Sequence, residues 1–558
     1  MADTCMKPAG GKSFFFGLEP RTLSTVVLLL ASTPLLLVLI APTVMNRFGQ
    51  FLGYTLRKKT EGRRAQLIAV MHEEDEEYWK ENARPKASPS AGWEAVEGET
   101  DKKSGSSVVQ SQKDWDGIIG FFHPFCNAGG GGERVLWAAI RATQDQWPKA
   151  KCVVYTGDHE ANKGTILRRV KSRFNIHLHP PTVQFLYLSK RHWVLASSWP
   201  HFTLLGQSLG SMILAWDAFS SLVPDIFIDT MGYAFALGLC KFLFRKVSTG
   251  AYVHYPTIST DMLESLDPSS SVGSHGVNAG QGAGTRGLAK KTYWQLFAKV
   301  YSWVGSSIDV VMTNSSWTQK HVKSLWGPNR LQKDRNNPIA VVYPPVAVRE
   351  LEQEVEVSEA SEKKREQVIM YIAQFRPEKN HQLILQAFSK FLRTKSKAAH
   401  KARLVLIGSV RDDQDSKKVY QLRLLANELG IKDRVEFHLD ASWPEILEWL
   451  RKASVGVNGM WNEHFGIGVV EYQAAGLISV VHNSGGPKLD IVVEVDGKPT
   501  GYHANNEAEF AEGFEKALSD ADPLAMRKRA RQSATRFTEE EFAKKWVAET
   551  SRLVALRR

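Results

Sequence analysis

NGMWNEHFGIGVVEYQAAG, residues 458–476, sets two glutamates, Glu463 and Glu471, with seven residues between them, around a glycine-broken core, Phe465-Gly466-Ile467-Gly468. The preceding SVGVNGM reads as a buried strand and VVEYQAAG as a helix, so Glu463 falls in the connection and Glu471 on the helix. Glycines at a helix start leave backbone N–H groups free for an anion such as phosphate. Were the whole interval helical, the two glutamates would lie about 80° apart around the axis and face one ligand. A carboxylate also accepts from two vicinal hydroxyls, such as those of a ribose. An exposed glutamate at a helix start, unrelated to its partner, is the plainer alternative.

Working outward, the same strand-loop-helix pattern recurs. DGIIGFFHPF, KCVVYTGD, VQFLYLS, PDIFIDT, TGAYVHYP and SSIDVVMTNSS form one series of short apolar runs. VIMYIAQF, ARLVLIGS, RVEFHL, SVGVNGM and LISVVHN form a second. Apolar strands alternating with longer segments predict parallel sheets with helices on both faces, here two doubly wound units. A Glu/Lys-rich stretch at 350–366 reads as the linker between them.

Three further features fall at strand ends, where such sheets bind ligands. Asn127-Ala128-Gly129-Gly130-Gly131-Gly132-Glu133-Arg134 joins the first strand to its helix, RVLWAAIRATQDQW. It lacks the last glycine of a dinucleotide fingerprint, Arg134 standing there, so NAD binding is disfavoured. Arg376-Pro377-Glu378-Lys379-Asn380 follows the first strand of the second unit; its two cations suit a diphosphate, although a plain charged turn would look the same. His254 and His123 end strands in the first unit. A protonated imidazole at His254 would steady a leaving phosphate or fix a hydroxyl, and a structural histidine fits equally well.

The 558-residue chain has a net charge of +12, 43% hydrophobic residues and four scattered cysteines. No long Lys/Arg run or nucleic-acid motif is present, so the charge points to phosphate ligands or a membrane surface rather than nucleic acid. The cysteines form no framework and read as small buried residues of a reducing compartment. Leu23 to Met45 carries no charge and is long enough to cross a bilayer. Lys7, Lys12 and Arg21 precede it; Arg47, Arg57, Lys58, Lys59, Arg63 and Arg64 follow, which orients the bulk of the chain to the cytoplasm. Asn314-Ser315-Ser316 should then carry no sugar. The aromatic stretches 192–216 and 233–246 read either as core helices or as elements lying on a membrane. The expected order is a short lumenal segment (1–22), an anchor (23–45), a juxtamembrane helix and flexible insert (46–113), the first unit (114–349), the linker (350–366), the second unit (367–535) and a C-terminal helix (536–558). A Gly/Ser-rich loop is expected at 265–287.

The glycine-rich first loop, R-P-E-K-N and E-x7-E with an internal F-G-I-G, taken in register, resemble the retaining GT-B glycosyltransferases that use nucleotide sugars. FFHPFCNAGGGGERVLWAAI, VYTGDH, YVHYPTIS, TNSSWT and NEHFGIGVVEYQAAG are similar to those members that use GDP-mannose and a dolichol-diphosphate-linked oligosaccharide on the cytoplasmic face of the endoplasmic reticulum. The likeness spans roughly 20–550, apart from the inserts. It implies a GT-B fold: two Rossmann-like domains across a cleft, behind an N-terminal transmembrane helix. By position, Arg376 and Lys379 would bind the diphosphate and Glu471 the ribose, with Phe465, Gly466 and Ile467 framing the donor. Glu463 would meet the mannose, and His254 would assist leaving-group departure or sugar orientation. Gly130, Gly131, Gly132 and Arg134 would approach from the opposite domain. The resemblance implies no cofactor and no metal, and it admits association with other mannosyltransferases of the same pathway. Asp413-Gln414-Asp415 reads as solvated surface. A UDP-sugar enzyme of the same fold, or a non-catalytic scaffold, are the competing readings.

Overall fold

The computed structural model describes residues 20–82, 114–267, 270, 284–333 and 338–557, with backbone alone at 20–40. Residues 1–19, nearly all of the expected insert, most of the 265–287 loop and the side chains of most of the expected anchor lie outside the described residues.

One helix, α1 (Pro20–Glu81), takes in both the expected anchor and the juxtamembrane helix without a break. At 62 residues it is about 90 Å long. Among the described residues, no helix is long and apolar enough to cross a membrane. Its second half is tied to the first unit, with Arg64 paired to Asp225 at 2.5 Å and Lys163 paired to Glu74 at 2.5 Å.

The first unit is a seven-stranded parallel sheet: β1 (Ile118–Phe122), β2 (Lys151–Thr156), β3 (Val183–Tyr187), β4 (Ile226–Asp229), β5 (Ser248–Val253), β6 (Val310–Thr313) and β7 (Ala340–Val341). Its order is β3-β2-β1-β4-β5-β6-β7. Ile118–Phe122 is buried throughout, as expected of an apolar run in a sheet covered on both faces. The helices used below are α2 (Gly131–Gln146), α3 (Thr203–Ser221), α4 (Ala234–Leu243), α5 (Gly284–Gly305) and α6 (Ser316–Gln332). The second unit is a six-stranded parallel sheet: β8 (Glu366–Ile372), β9 (Arg403–Gly408), β10 (Val435–Leu439), β11 (Ala453–Asn458), β12 (Ile478–His482) and β13 (Gly501–Ala504). It is ordered β10-β9-β8-β11-β12-β13. Its helices include α7 (His381–Arg393), α8 (Asp413–Glu428) and α9 (Ile467–Ala474). The last helix, α10 (Glu539–Ala555), returns to the first unit, where Trp546 is fully buried and donates to Thr143 at 3.1 Å. The two doubly wound sheets are those that the strand series led us to expect, and they fit the GT-B arrangement that the resemblance implied.

The 350–366 linker is largely ordered: Val348–Glu354 and Glu359–Glu362 are helical, and the buried Arg527 clamps Glu362 at 2.8 Å. One expectation is revised. Asp413-Gln414-Asp415 opens α8, and Asp415 is buried, accepting from the Arg411 backbone, while Asp413 stays exposed. The cap is Asp412, which satisfies the free N–H groups of the first turn.

Both apolar stretches have two faces. α4 buries Ala236, Leu237, Cys240 and Leu243 in the core and leaves Phe235, Leu239 and Phe242 on its other side. Cys126, Cys152 and Cys240 are free and buried, as their scatter implied.

Candidate active site between the two sheets

Both strand orders reverse at their middle, between β1 and β4 in one sheet and between β8 and β11 in the other. A reversal opens a crevice at the carboxyl ends of the flanking strands. In the second unit those ends lead into the loops carrying Lys379 and Glu463. In the first, β1 leads to the glycine loop, and His254 follows the neighbouring β5.

These loops line one cleft of about 350 Å3. Gly131, Gly132, His254 and Asn314 face it from the first unit. Lys379, Asn458, Glu463 and the run from His464 to Gly468 face it from the second. Arg376, Arg134, Gly130 and Glu471 are not among its lining residues.

Glu463 is the electrostatic centre. Its Oε2 lies 2.5 Å from Lys379 Nζ and 3.4 Å from Asn458 Nδ2. Burial pushes this carboxyl up, but the Lys379 ammonium outweighs it and, with His464 and Asn458, holds Glu463 below the usual carboxylate range. Lys379 also touches the Met460 sulfur at 3.2 Å. Glu471 behaves differently. It sits on α9, only partly exposed, and burial lifts it to about 7 against the pull of Arg134.

The Glu463–Glu471 interval is not helical throughout, so the 80° relation does not apply. Gly466 has φ +106°, a left-handed conformation open to glycine, and α9 starts only at Ile467. The loop is fixed from behind by the chain after β12. Gly486 N–H donates to the Glu463 carbonyl at 2.7 Å, and Asn462 N–H donates to Ser484 Oγ at 2.7 Å.

Neither Gly130, capping α2, nor Gly466, capping α9, has a side chain to satisfy the first N–H groups of its helix. The two ends approach closely: a Cβ on Gly131 would stand 2.6 Å from Ile467 Cδ1. The cleft thus receives the positive end of one helix from each domain. Behind the glycine loop, the Glu133 carboxylate accepts from Gly130 N–H and lies 3.7 Å from the buried His123 Nε2, while His123 Nδ1 meets Thr230 at 2.7 Å. His123 therefore braces the loop rather than facing the cleft.

His254 Nε2 is buried without a hydrogen-bond partner, and burial, then the nearby His123, lower its pKa to about 4. At neutral pH the imidazole is therefore uncharged, against the expectation of a charged group. Arg134 is held by Glu539 of α10 at 2.7 Å, which draws its guanidinium away from the cleft. Arg376 is half-buried at the start of the turn Pro377–Lys379. Asn314 is 5% exposed and lines the cleft, which keeps its sequon inside the folded chain.

Residues 116–326 match the family described as ALG11 mannosyltransferase N-terminus, and residues 352–537 match Glycosyl transferases group 1. Over 530 residues the chain is 68% identical to a Neurospora crassa protein named GDP-Man:Man(3)GlcNAc(2)-PP-Dol alpha-1,2-mannosyltransferase, covering 94% of this chain and 95% of that one. This chain belongs to that mannosyltransferase family. A human protein of the same name is 46% identical over 441 residues, 78% of this chain and 87% of its own. The solved glycosyltransferase from Rickettsia africae shares the fold, with a TM-score of 0.53 at 14% identity over 79% of this chain and 99% of that one.

In this mannosyltransferase several residues at the cleft carried no sequence signal. His464 stacks on Tyr255 at 4.1 Å and on Trp317 at 5.2 Å, joining the two domains. Asn462 bonds Asp261 across the same boundary. Asp490 accepts from Ser316 N–H and from the Tyr343 hydroxyl, each at 2.9 Å. Phe465, expected to frame the donor, lines the cleft but is 3% exposed, stacking on Tyr343 and meeting Phe537 edge-to-face. Among the described residues, no group of three or more His, Cys, Asp or Glu could hold a metal ion.

Proposed function

We propose that this chain transfers mannose from GDP-mannose, with retention, to the dolichol-diphosphate-linked Man3GlcNAc2 oligosaccharide, adding the fourth and fifth mannoses in α-1,2 linkage. The observation that carries this reading is the half-buried Lys379–Glu463 pair facing two helix N-termini and a neutral His254, at the switch points of both sheets.

Lys379 and the two helix ends receive the donor diphosphate, and Arg376 turns in once the donor adds its negative charge. Glu471 accepts from the ribose hydroxyls. Glu463 accepts from mannose hydroxyls beside the anomeric carbon, where it steadies developing positive charge. His254, neutral until a diphosphate arrives, donates a hydrogen bond to the sugar or to the departing phosphate. The bond from the anomeric carbon to the β-phosphate oxygen breaks, and a bond to the acceptor hydroxyl oxygen forms on the same face. The acceptor proton passes to the departing phosphate. No general base and no metal are invoked, because Lys379, Arg376 and the helix ends supply the positive charge.

We place the uncharged Leu23–Met45 stretch of α1 across the endoplasmic reticulum membrane, with both domains in the cytoplasm. The backbone there is continuous helix, and the positive charge is concentrated on its C-terminal side. Other mannosyltransferases of the same pathway are candidate neighbours on that membrane.

Nucleotide competition tests the donor. GDP is expected to displace bound GDP-mannose at a concentration at least about tenfold below that needed for UDP. Equal or better displacement by UDP would assign the site to a UDP-sugar instead.

A further inference from the structure

On the far side of the first unit lies a groove of about 800 Å3, within the size range of ligand sites. Its floor is the outer face of α4: Phe235, Leu239 and Phe242 recur at intervals of four and three, opposite the buried Ala236, Leu237, Cys240 and Leu243. Met212 of α3, Trp303 of α5 and Met45 of α1 form the walls.

The surroundings are unusually apolar for a surface facing water. Leu296, Val300 and Trp303 are exposed along one side of α5, Trp303 at 64%, and Phe48 and Phe51 are exposed on α1. One end is cationic. Lys241 is neutralised by Asp309 at 2.8 Å, but Arg245 reaches the groove from an exposed turn just past the C-terminus of α4, with no described side chain holding it, and Lys246 is exposed beside it. Lys333 stands 5.4 Å above the Trp303 ring.

Two placements identify the occupant. Met45 ends the uncharged stretch that we place across the bilayer, so the groove opens at headgroup depth. Arg245 also lies just before β5, at the amino-terminal edge of the sheet, whereas the catalytic cleft is at the carboxyl-terminal edge. A strand of six residues separates those edges by about 20 Å. An anion at Arg245 therefore lies outside the catalytic cleft and is not the donor diphosphate.

We propose that this groove binds an anionic phospholipid of the surrounding membrane, one chain lying over Phe235, Leu239 and Phe242 and the headgroup phosphate at Arg245. The inference rests on the membrane placement given under Proposed function. Bound lipid would hold the first domain against the bilayer and keep the cleft at a fixed height above it.

The test uses the full chain in phosphatidylcholine nanodiscs carrying either brominated phosphatidylserine or brominated phosphatidylcholine, with bromine quenching the Trp303 fluorescence found by difference from Trp303→Phe. Half-quenching is expected at about fivefold less brominated phosphatidylserine than phosphatidylcholine. Arg245→Glu should remove that preference without changing the thermal midpoint. Leu239→Glu, which places charge on the floor, should reduce quenching by both lipids. Equal quenching by the two lipids in the wild type, or a preference that survives Arg245→Glu, overturns the phospholipid site and leaves the membrane placement standing. Failure of the chain to stay with the discs overturns both.

Discussion

Lys379 Nζ and Glu463 Oε2, 84 residues apart in the chain, stand 2.5 Å from each other in the cleft, and each neutralises the other. Removing one partner of such a half-buried pair strands the other's charge, whereas removing both does not. Lys379→Met should lower transfer by about 100- to 1,000-fold and lower the thermal midpoint. Lys379→Met with Glu463→Gln should recover the midpoint and stay inactive. Recovery of activity in the double variant would mean that the pair is purely structural.

Glu471 gives a pH signature. Burial lifts its carboxyl to about 7, so the folded protein disfavours the ionised form, and the stability it contributes is lost as pH rises through that value. Ribose hydroxyls need the ionised form as acceptor. The Kd for GDP-mannose should therefore fall between about pH 6 and about pH 8, and Glu471→Gln should flatten the profile and weaken binding by about tenfold or more. The same substitution should raise the thermal midpoint at the alkaline end. Titration calorimetry and thermal melts across the range check both.

Gly485 supports Glu463 from behind. It has φ +66°, and a Cβ there would fall 2.3 Å from the Glu463 carbonyl oxygen. Gly485→Ala must displace the Glu463 loop, so kcat should fall by about 100-fold, as for other misplaced catalytic groups, with a smaller change in GDP affinity. Equal loss of both would place the damage in general folding.

Burial lowers His254, His321 and His464 to about 4. The unfolded chain takes up their protons first as pH falls below about 6.5. Each therefore withdraws stability by about 1.4 kcal/mol per pH unit between there and its folded value. Denaturant unfolding should show the slope, and His464→Phe, which keeps the stack on Tyr255 and Trp317, should reduce it by one histidine's share.

Periodicity and strand ends were enough to place Glu463, Lys379, the glycine loop and His254, because each follows an apolar run whose direction is fixed by a parallel sheet. The sequence also separated the loop glutamate from the helical one. It did not show that Gly466 would break the interval, nor that His254 would be neutral, since both depend on what surrounds them in three dimensions. Asn462 with Asp261 and Ser316 with Asp490 join residues 201 and 174 positions apart, with no local pattern to announce the pairing. Arg134 was misplaced for the same reason: Glu539, which holds it, arrives on a helix 405 residues later. The short helices of the 350–366 linker gave no signal either, because their anchor, Arg527, lies in the far part of the second unit.

In the proposed function the Glu463 cleft moves mannose from GDP-mannose to a lipid-linked acceptor. The most direct test of that transfer is to incubate the full chain with radiolabelled GDP-mannose and trimannosyl lipid acceptor, then read product size and linkage for wild type and Glu463→Ala. Wild type should extend the acceptor by two mannoses, both released by an α-1,2-specific mannosidase, and Glu463→Ala should lose about 100-fold or more of that rate. Label transferred equally well by Glu463→Ala, or incorporated only from a UDP-sugar, would contradict the account.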